Sequence, residues 1–342
     1  MSDDAEDPRE GEFHPRRRTD LNGHHGAEDT LLRQYRSGRM HHGWLFAGPR
    51  GIGKATLAYR LARFLLAFPD MRAAAERSSL FVPAEAPVAR RIAARGHADL
   101  ITLERSYDAK AERLKSEIAV DDVRKASAFF GRTAGEGGWR ICIVDAAEDL
   151  NTESANALLK VLEEPPANSL FILVSHQAGR LLPTIRSRCV RLDLSPLSEA
   201  DTIAVVGTMA DQPADEIERA ARLSKGSPGR ALELLNSQGA KYFDLLRQIM
   251  SRSQNIDLAA KISIADGLHG RDMAEDFSIF SELLLGFVAD MARHSALAGK
   301  GAAFARAHEE IGHSLRLANV LNLDRRQTIL DALTVLGSAK AA

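Results

Sequence analysis

The sequence predicts an α/β domain built on a parallel sheet with helices on both faces, followed by a small helical domain and a C-terminal helical bundle. Three observations carry that prediction. Apolar runs of strand length alternate with stretches of helical spacing from His42 to Leu194, and several of the runs are apolar at every position, as strands buried on both faces must be. A glycine-rich segment joins the first run to the first long helix. Beyond Ser195-Pro196-Leu197 no further strand-like run occurs.

Taken in order, LLRQYRSGRM after Thr30 has amphipathic spacing, and His42 to Ala47 is a compact apolar run entering Gly48. Ala55 to Phe68 carries apolar residues at positions 57, 58, 61, 62, 65 and 66, a helical spacing that Pro69 closes. Residues 69–98 are rich in Ala, Arg and Pro and show no clear strand; Asp99 to Leu103 then forms a second short strand. Helical spacing returns from Ile118 to Phe130, and Arg140 to Asp145 is a buried strand ending in an acid. Asn151 or Thr152 can cap a helix that runs to Glu164, where Pro165-Pro166 stops it. Leu170–Ser175 and Val190–Leu194 complete the strands, and helices are expected over 198–210, 215–224, 229–235 and throughout 241–338.

Composition narrows the function. The 342 residues are 45% hydrophobic and 27% charged, with 45 Lys+Arg against 46 Asp+Glu, which excludes global disorder and a wholesale basic surface for coating DNA. The first twenty residues place acids before Arg16-Arg17-Arg18 without the apolar core of a signal peptide, so they read as a disordered tail. No apolar run approaches the ~20 residues that span a bilayer, so no membrane role is expected. Cys142 and Cys189, the two cysteines, cannot make a four-ligand zinc site, and a reducing cytoplasm is the simplest setting.

The chemistry concentrates in Gly48-Pro49-Arg50-Gly51-Ile52-Gly53-Lys54-Ala55-Thr56, between a strand and a helix, where a phosphate-binding loop belongs. Gly48, Gly51 and Gly53 let the backbone wrap an anion, and Lys54 can reach β- and γ-phosphates. Ala55 replaces the hydroxyl that would hold Mg²⁺, and Thr56 is turned about 100° away along the helix. Asp145, ending its strand, is positioned to act on the metal through water, but Ala146 and Ala147 follow it; Glu148 is expected to point elsewhere on a solvated loop. The loop is therefore expected to be able to hold ATP and not to hydrolyse it.

The segment Asn156-Ala-Leu-Leu-Lys160-Val-Leu-Glu163-Glu164-Pro165-Pro166, with Leu170–Ser175 and Ser187-Arg188-Cys189, resembles the clamp-loader branch of AAA+ proteins, and within it the delta-prime subunits of bacterial DNA polymerase III. The likeness runs from about residue 20 to 240 and thereafter lies in helical character, with Leu321–Asp331 similar to the family's last helix. It implies an AAA+ P-loop domain over 21–195, a helical lid over 196–239 and an oligomerising collar over 240–342. It also implies partners: gamma/tau and delta subunits, with the sliding clamp and primer-template DNA met through the complex.

Carried over residue by residue, the resemblance makes Arg188 an arginine finger offered to a neighbour's nucleotide. Ser175 takes the sensor-1 position, either on a phosphate or satisfied by backbone, and Arg230 the sensor-2 position, either reaching phosphate or solvated on its helix. Residues 69–98 lack the cysteines of the zinc module that many members insert, so zinc is not expected. The alternative within the branch is a gamma/tau-type hydrolysing motor; outside it, a P-loop transferase or kinase would have no use for Ser-Arg-Cys. Arg90-Arg91, Arg95 and Arg124-Lys125 read as solvated helix faces or as contacts for nucleic-acid phosphates.

Overall fold

A computed structural model of the chain describes residues 11, 13–70, 77–108, 113–131, 135, 138–252, 256–270, 272–296 and 301–341. Two compact units emerge: residues 1–211 with 225–230, and residues 212–224 with 231–342.

The first unit opens with α1 (His25–Arg36), β1 (Gly43–Ala47) and α2 (Lys54–Ala67), followed by a short α3 (Pro87–Ala93). Pro87 at the first helical position starts α3 inside a stretch that sequence spacing leaves without an element. Next come β2 (Leu100–Glu104), a small hairpin of β3 (Tyr107–Asp108) and β4 (Arg113–Leu114), α4 (Val120–Phe130) and β5 (Arg140–Asp145). The Asn151 side chain accepts from the Ser154 N–H and caps α5 (Thr152–Glu163), as its sequence position predicts. β6 (Ser169–Ser175), α6 (Pro183–Arg186), β7 (Val190–Asp193) and α7 (Glu199–Gly207) complete the unit's elements up to residue 211.

All five long strands form one parallel sheet in the order β2-β5-β6-β1-β7. Alternate residues of each strand feed opposite cores, because successive side chains leave a strand on opposite faces. Trp44, Phe46, Ile141, Ile143 and Ile172 pack with Leu57, Leu61 and Phe64 of α2. Leu45, Ala47, Cys142, Val144 and Phe171 pack with Val123 and Phe130 of α4 and Leu158 and Leu162 of α5. The expected parallel α/β sheet, covered on both faces, is present.

The tail expectation needs correction. Residues 1–10 and 12 lie outside the described residues, but Phe13 to Asp20 is seated on the domain. Arg63 of α2, 1% exposed, donates to the carbonyls of Arg16 (3.0 Å) and Arg18, and Arg60 donates to that of Thr19. A polar segment without apolar anchors is held here by buried guanidinium groups.

The second unit contains α8 (Ala214–Leu223), most of α9 (Pro228–Leu235), α10 (Gln238–Arg252), α11 (Leu258–Gly267), α12 (Ala274–Ala296), α13 (Gly301–Leu321) and α14 (Arg325–Ala341). α12 packs on α10 and α13, and α14 on α11 and α13, around Leu246, Phe280, Ile311 and Leu333. The grouping divides the stretch expected to be a lid, with α7 in the first unit and α8 in the second. Among the described residues no helix is long and apolar enough to cross a membrane.

Candidate functional site

Parallel register brings the C-terminal ends of four strands into line. Ala47 pairs with Ser175, and Asp145 pairs with both Val174 and Glu104. The turn leaving β1 at Gly48 thus opens beside the carboxylate ending β5 and the hydroxyl ending β6, the crevice where α/β sheets bind ligands.

Three glycines shape that turn. Gly48 (φ +151°) lies so close to the Leu194 backbone that a Cβ there would run into its carbonyl oxygen. Gly51 (φ +75°) leaves room for Ser227, whose hydroxyl a Cβ would meet at 2.5 Å. Gly53 (φ +102°) caps α2 in the left-handed conformation.

The loop's five successive carbonyls, Gly48 to Ile52, all accept hydrogen bonds. Lys54 Nζ donates to Gly48 (2.7 Å) and to Pro49, the Ser227 hydroxyl to Arg50 (2.8 Å), and the Gly229 N–H to Gly51 (2.9 Å). His24 Nε2 donates to Ile52 at 2.6 Å, which fixes the proton on that nitrogen because a carbonyl can only accept. Lys54 is 2% exposed, and burial draws its pKa down to about 8 against the opposing pull of Asp145 and Glu148. The cation expected to face phosphate is instead bonded to its own loop.

Burial raises the Asp145 carboxyl to about 6, with Glu104 adding to the rise and Lys54 opposing it. Glu148 departs from expectation. A single helical turn at Ala147–Asp149 brings its Oε1 to the His176 N–H at 2.7 Å, while Oε2 is buried without a partner. It therefore belongs to the Lys54–Asp145 site rather than to a solvated loop. His176 is the second residue that sequence reasoning missed: burial foremost, then Lys54, lowers its ring to about 4, and its Nδ1 is likewise buried and unpartnered. Ser175 is wholly buried, and its Oγ accepts from the Gln177 N–H at 3.2 Å. Arg230 is half-buried, and its N–H donates to the Ser227 hydroxyl at 3.2 Å, so the first turn of α9 lies against Gly51.

These groups divide the nucleotide that the fold implies into a part that fits and a part that does not. With its five carbonyls engaged, the loop still offers N–H groups, which suit an anion, and Lys54 could join them on leaving Gly48 and Pro49. A phosphate chain fits. The apparatus for hydrolysis does not, because Ala55 brings no hydroxyl for Mg²⁺ and Ala146 no carboxylate to activate water.

Arg188 lies at the other end of β1. A Cβ on Gly43, the first residue of β1, would sit 3.0 Å from the Arg188 carbonyl and 3.2 Å from Cys189 Sγ. The four strand steps to Ala47 separate it from the loop by roughly 13 Å. Its guanidinium pairs with Glu163 (2.6 Å) and donates to the Thr184 carbonyl (3.0 Å), with the side chain 34% exposed. The structure therefore brings Gly48, Gly51, Gly53, Lys54, Asp145, Ser175 and the backbone of Arg230 to one end of the sheet and leaves Arg188 at the other. Burial raises the thiols of Cys142, in β5, and of Cys189, to about 12 in the latter, and among the described residues no cluster of His, Cys, Asp and Glu could hold a metal ion.

Known proteins match the part of the chain that carries this layout. Residues 23–198, which include the sheet and both ends just described, match the family model described as DNA polymerase III, delta subunit. A DNA polymerase III subunit delta' from Pseudomonas aeruginosa is 38% identical over 201 residues, covering 58% of this chain and 57% of that protein. One from Yersinia pestis is 31% identical over 264 residues, covering 75% of this chain and 72% of that protein.

The chain belongs to the DNA polymerase III delta-prime family.

A DNA polymerase III subunit gamma/tau from Mycobacterium tuberculosis is also 31% identical, over 207 residues, but the match covers 33% of its length. For the first relatives, from Pseudomonas and Escherichia coli, the matched stretch spans 57% and 64% of their own length.

Proposed function

We propose that the chain is the delta-prime-type subunit of a DNA polymerase III clamp loader, working in the cytoplasm with gamma/tau and delta subunits to place a sliding clamp on primed DNA. In this reading its own P-loop can hold nucleotide phosphate without turning it over, no zinc is required, and Arg188 completes the ATP site of a neighbouring subunit. The observation that carries it is the separation along β1: a loop bonded to itself at one end, an accessible arginine at the other. A permanently charged, planar guanidinium suits the stabilisation of charge on a γ-phosphate, and Arg188 is too far from its own loop to act there. Glu163 would hold the finger extended until the neighbour's nucleotide replaces it. A gamma/tau-type motor would need the hydroxyl and the carboxylate that Ala55 and Ala146 omit.

The test is a loader reconstituted with gamma/tau and delta. Arg188→Ala is expected to assemble normally and to lower clamp- and DNA-stimulated ATPase, by up to ~10³ at the one affected site and less overall because other sites continue. Lys54→Ala should leave that ATPase unchanged, and the isolated chain should not hydrolyse ATP with Mg²⁺. Full activity of the Arg188→Ala loader, or turnover by the isolated chain that vanishes with Lys54, would refute this reading.

A further inference from the structure

Arg16-Arg17-Arg18, expected to lie in a free tail, is built into the domain surface. Arg63 holds the backbone from within, through the Arg16 and Arg18 carbonyls, and burial lowers this guanidinium to about 10. Arg16 Nε donates to the Ala93 carbonyl at the end of α3 (3.0 Å), and Arg18 donates to the Thr208 hydroxyl at 3.2 Å. The triplet is thereby set beside the arginines of α3 and the turn after it: Arg16 feels the positive charge of Arg95 and of Arg17, and Arg90 lies one turn before Ala94. Glu104 meets this group through Arg95, at 2.5 Å. Arg17 and Arg90 are exposed and form no ion pair among the described residues. The other basic candidate differs: Arg124 and Lys125 are each paired within α4, to Asp121 (2.9 Å) and Asp122 (2.8 Å).

We infer that the exposed Arg17 and Arg90, set side by side where the buried Arg16 (4% exposed) fastens the N-terminal segment to the end of α3, form a direct contact surface for the phosphate backbone of DNA. The inference rests on the clamp-loader reading above for the choice of polyanion; the surface itself stands on its geometry. Its cations are all arginines, whose planar forks match phosphate oxygens, on a chain of net charge −1, so the positive field is local. Phe13, 41% exposed, adjoins the triplet in sequence and offers a face on which an unpaired base can stack. Backbone pinning means that little ordering entropy remains to be lost when a strand binds.

The experiment uses the full chain and measures fluorescence anisotropy of a labelled single strand and a labelled duplex across a salt series. Arg17→Ala/Arg90→Ala is compared with Arg124→Ala/Lys125→Ala, which removes the same formal charge. The first double variant should bind about tenfold more weakly and lower the steepness of the log–log salt dependence for duplex by about 1.8, at about 0.9 per phosphate contact. The second should match the parent chain. Absence of binding by the parent at 50 mM salt, equal losses in both variants, or displacement of DNA by polyglutamate at equal charge would each overturn the inference, the last by pointing to an acidic protein. Thermal melting verifies that both variants fold. Assembly with gamma/tau and delta is measured separately, so a chain that binds DNA through this surface yet fails to assemble refutes the proposed function and leaves the surface standing.

Discussion

The two ends of β1 are built on opposite principles. At its C-terminal end every carbonyl of the turn is bonded, the cation is buried, and three ionisable groups, Lys54, Asp145 and His176, are displaced from their ordinary protonation behaviour. At the N-terminal end Arg188 is partly exposed and held by one carboxylate and one carbonyl. An inward-facing end resists change because its polar groups have no solvent to fall back on. An outward-facing end can exchange partners at little cost. The difference teaches that the loop's polar groups are committed to its own fold, while the arginine is held by contacts that face solvent.

The largest stability effect should come from adding a methyl group to the tight end. Gly48→Ala forces a Cβ against the Leu194 carbonyl at a φ that L-residues avoid, and a loss of roughly 2–4 kcal/mol is expected in denaturant melts. Arg63→Ala should follow at about 3 kcal/mol, since it leaves one buried and one half-buried carbonyl without donors; limited trypsin digestion should then cut readily after Arg16–Arg18.

Next in size is a pH-dependent effect at Asp145. Its folded pKa is raised, so the contribution of the carboxyl is fully present below its unfolded value near 4 and is lost as pH rises through about 6. Asp145→Asn is thus expected to raise Tm more at pH 8 than at pH 4. His176 has the opposite sense: its folded pKa is depressed to about 4, so stability falls as pH drops from about 6.5 toward 4, and His176→Gln should flatten that arm of the profile. The smallest effect belongs to the loose end. Arg188→Ala should change stability by no more than about 0.5–1 kcal/mol, because an exposed ion pair contributes little; a larger loss would mean that Arg188 is a packing residue and erase the contrast.

Much of this was legible in the sequence where the physics is local. The strand, glycine turn and helix around Gly48–Lys54 announce themselves through apolar runs and glycine chemistry, and Asn151 caps the helix its position predicts. What could not be read depends on contacts distant along the chain. His24 reaches Ile52 and Ser227 reaches Arg50 with no shared pattern to mark them. Glu148 lies three residues beyond Asp145, and the single helical turn at Ala147–Asp149, invisible to periodicity, brings it back to the site. The triplet Arg16–Arg18 looked unattached because a run of cations has nothing apolar to bury; its anchor is the hydrogen-bonding capacity of Arg60 and Arg63, hidden on a helix whose spacing shows only its apolar stripe.

The five bonded carbonyls from Gly48 to Ile52 have a wider consequence. Their donors come from a histidine preceding α1, from the first residue of α2 and from the segment entering α9, so the loop works as a splice at which three stretches of chain are fastened. A splice of this kind gives Gly48, Gly51 and Lys54 a mechanical role in the fold that does not depend on turnover. The G-x-x-x-x-G-K signature of this chain is, among other things, joinery.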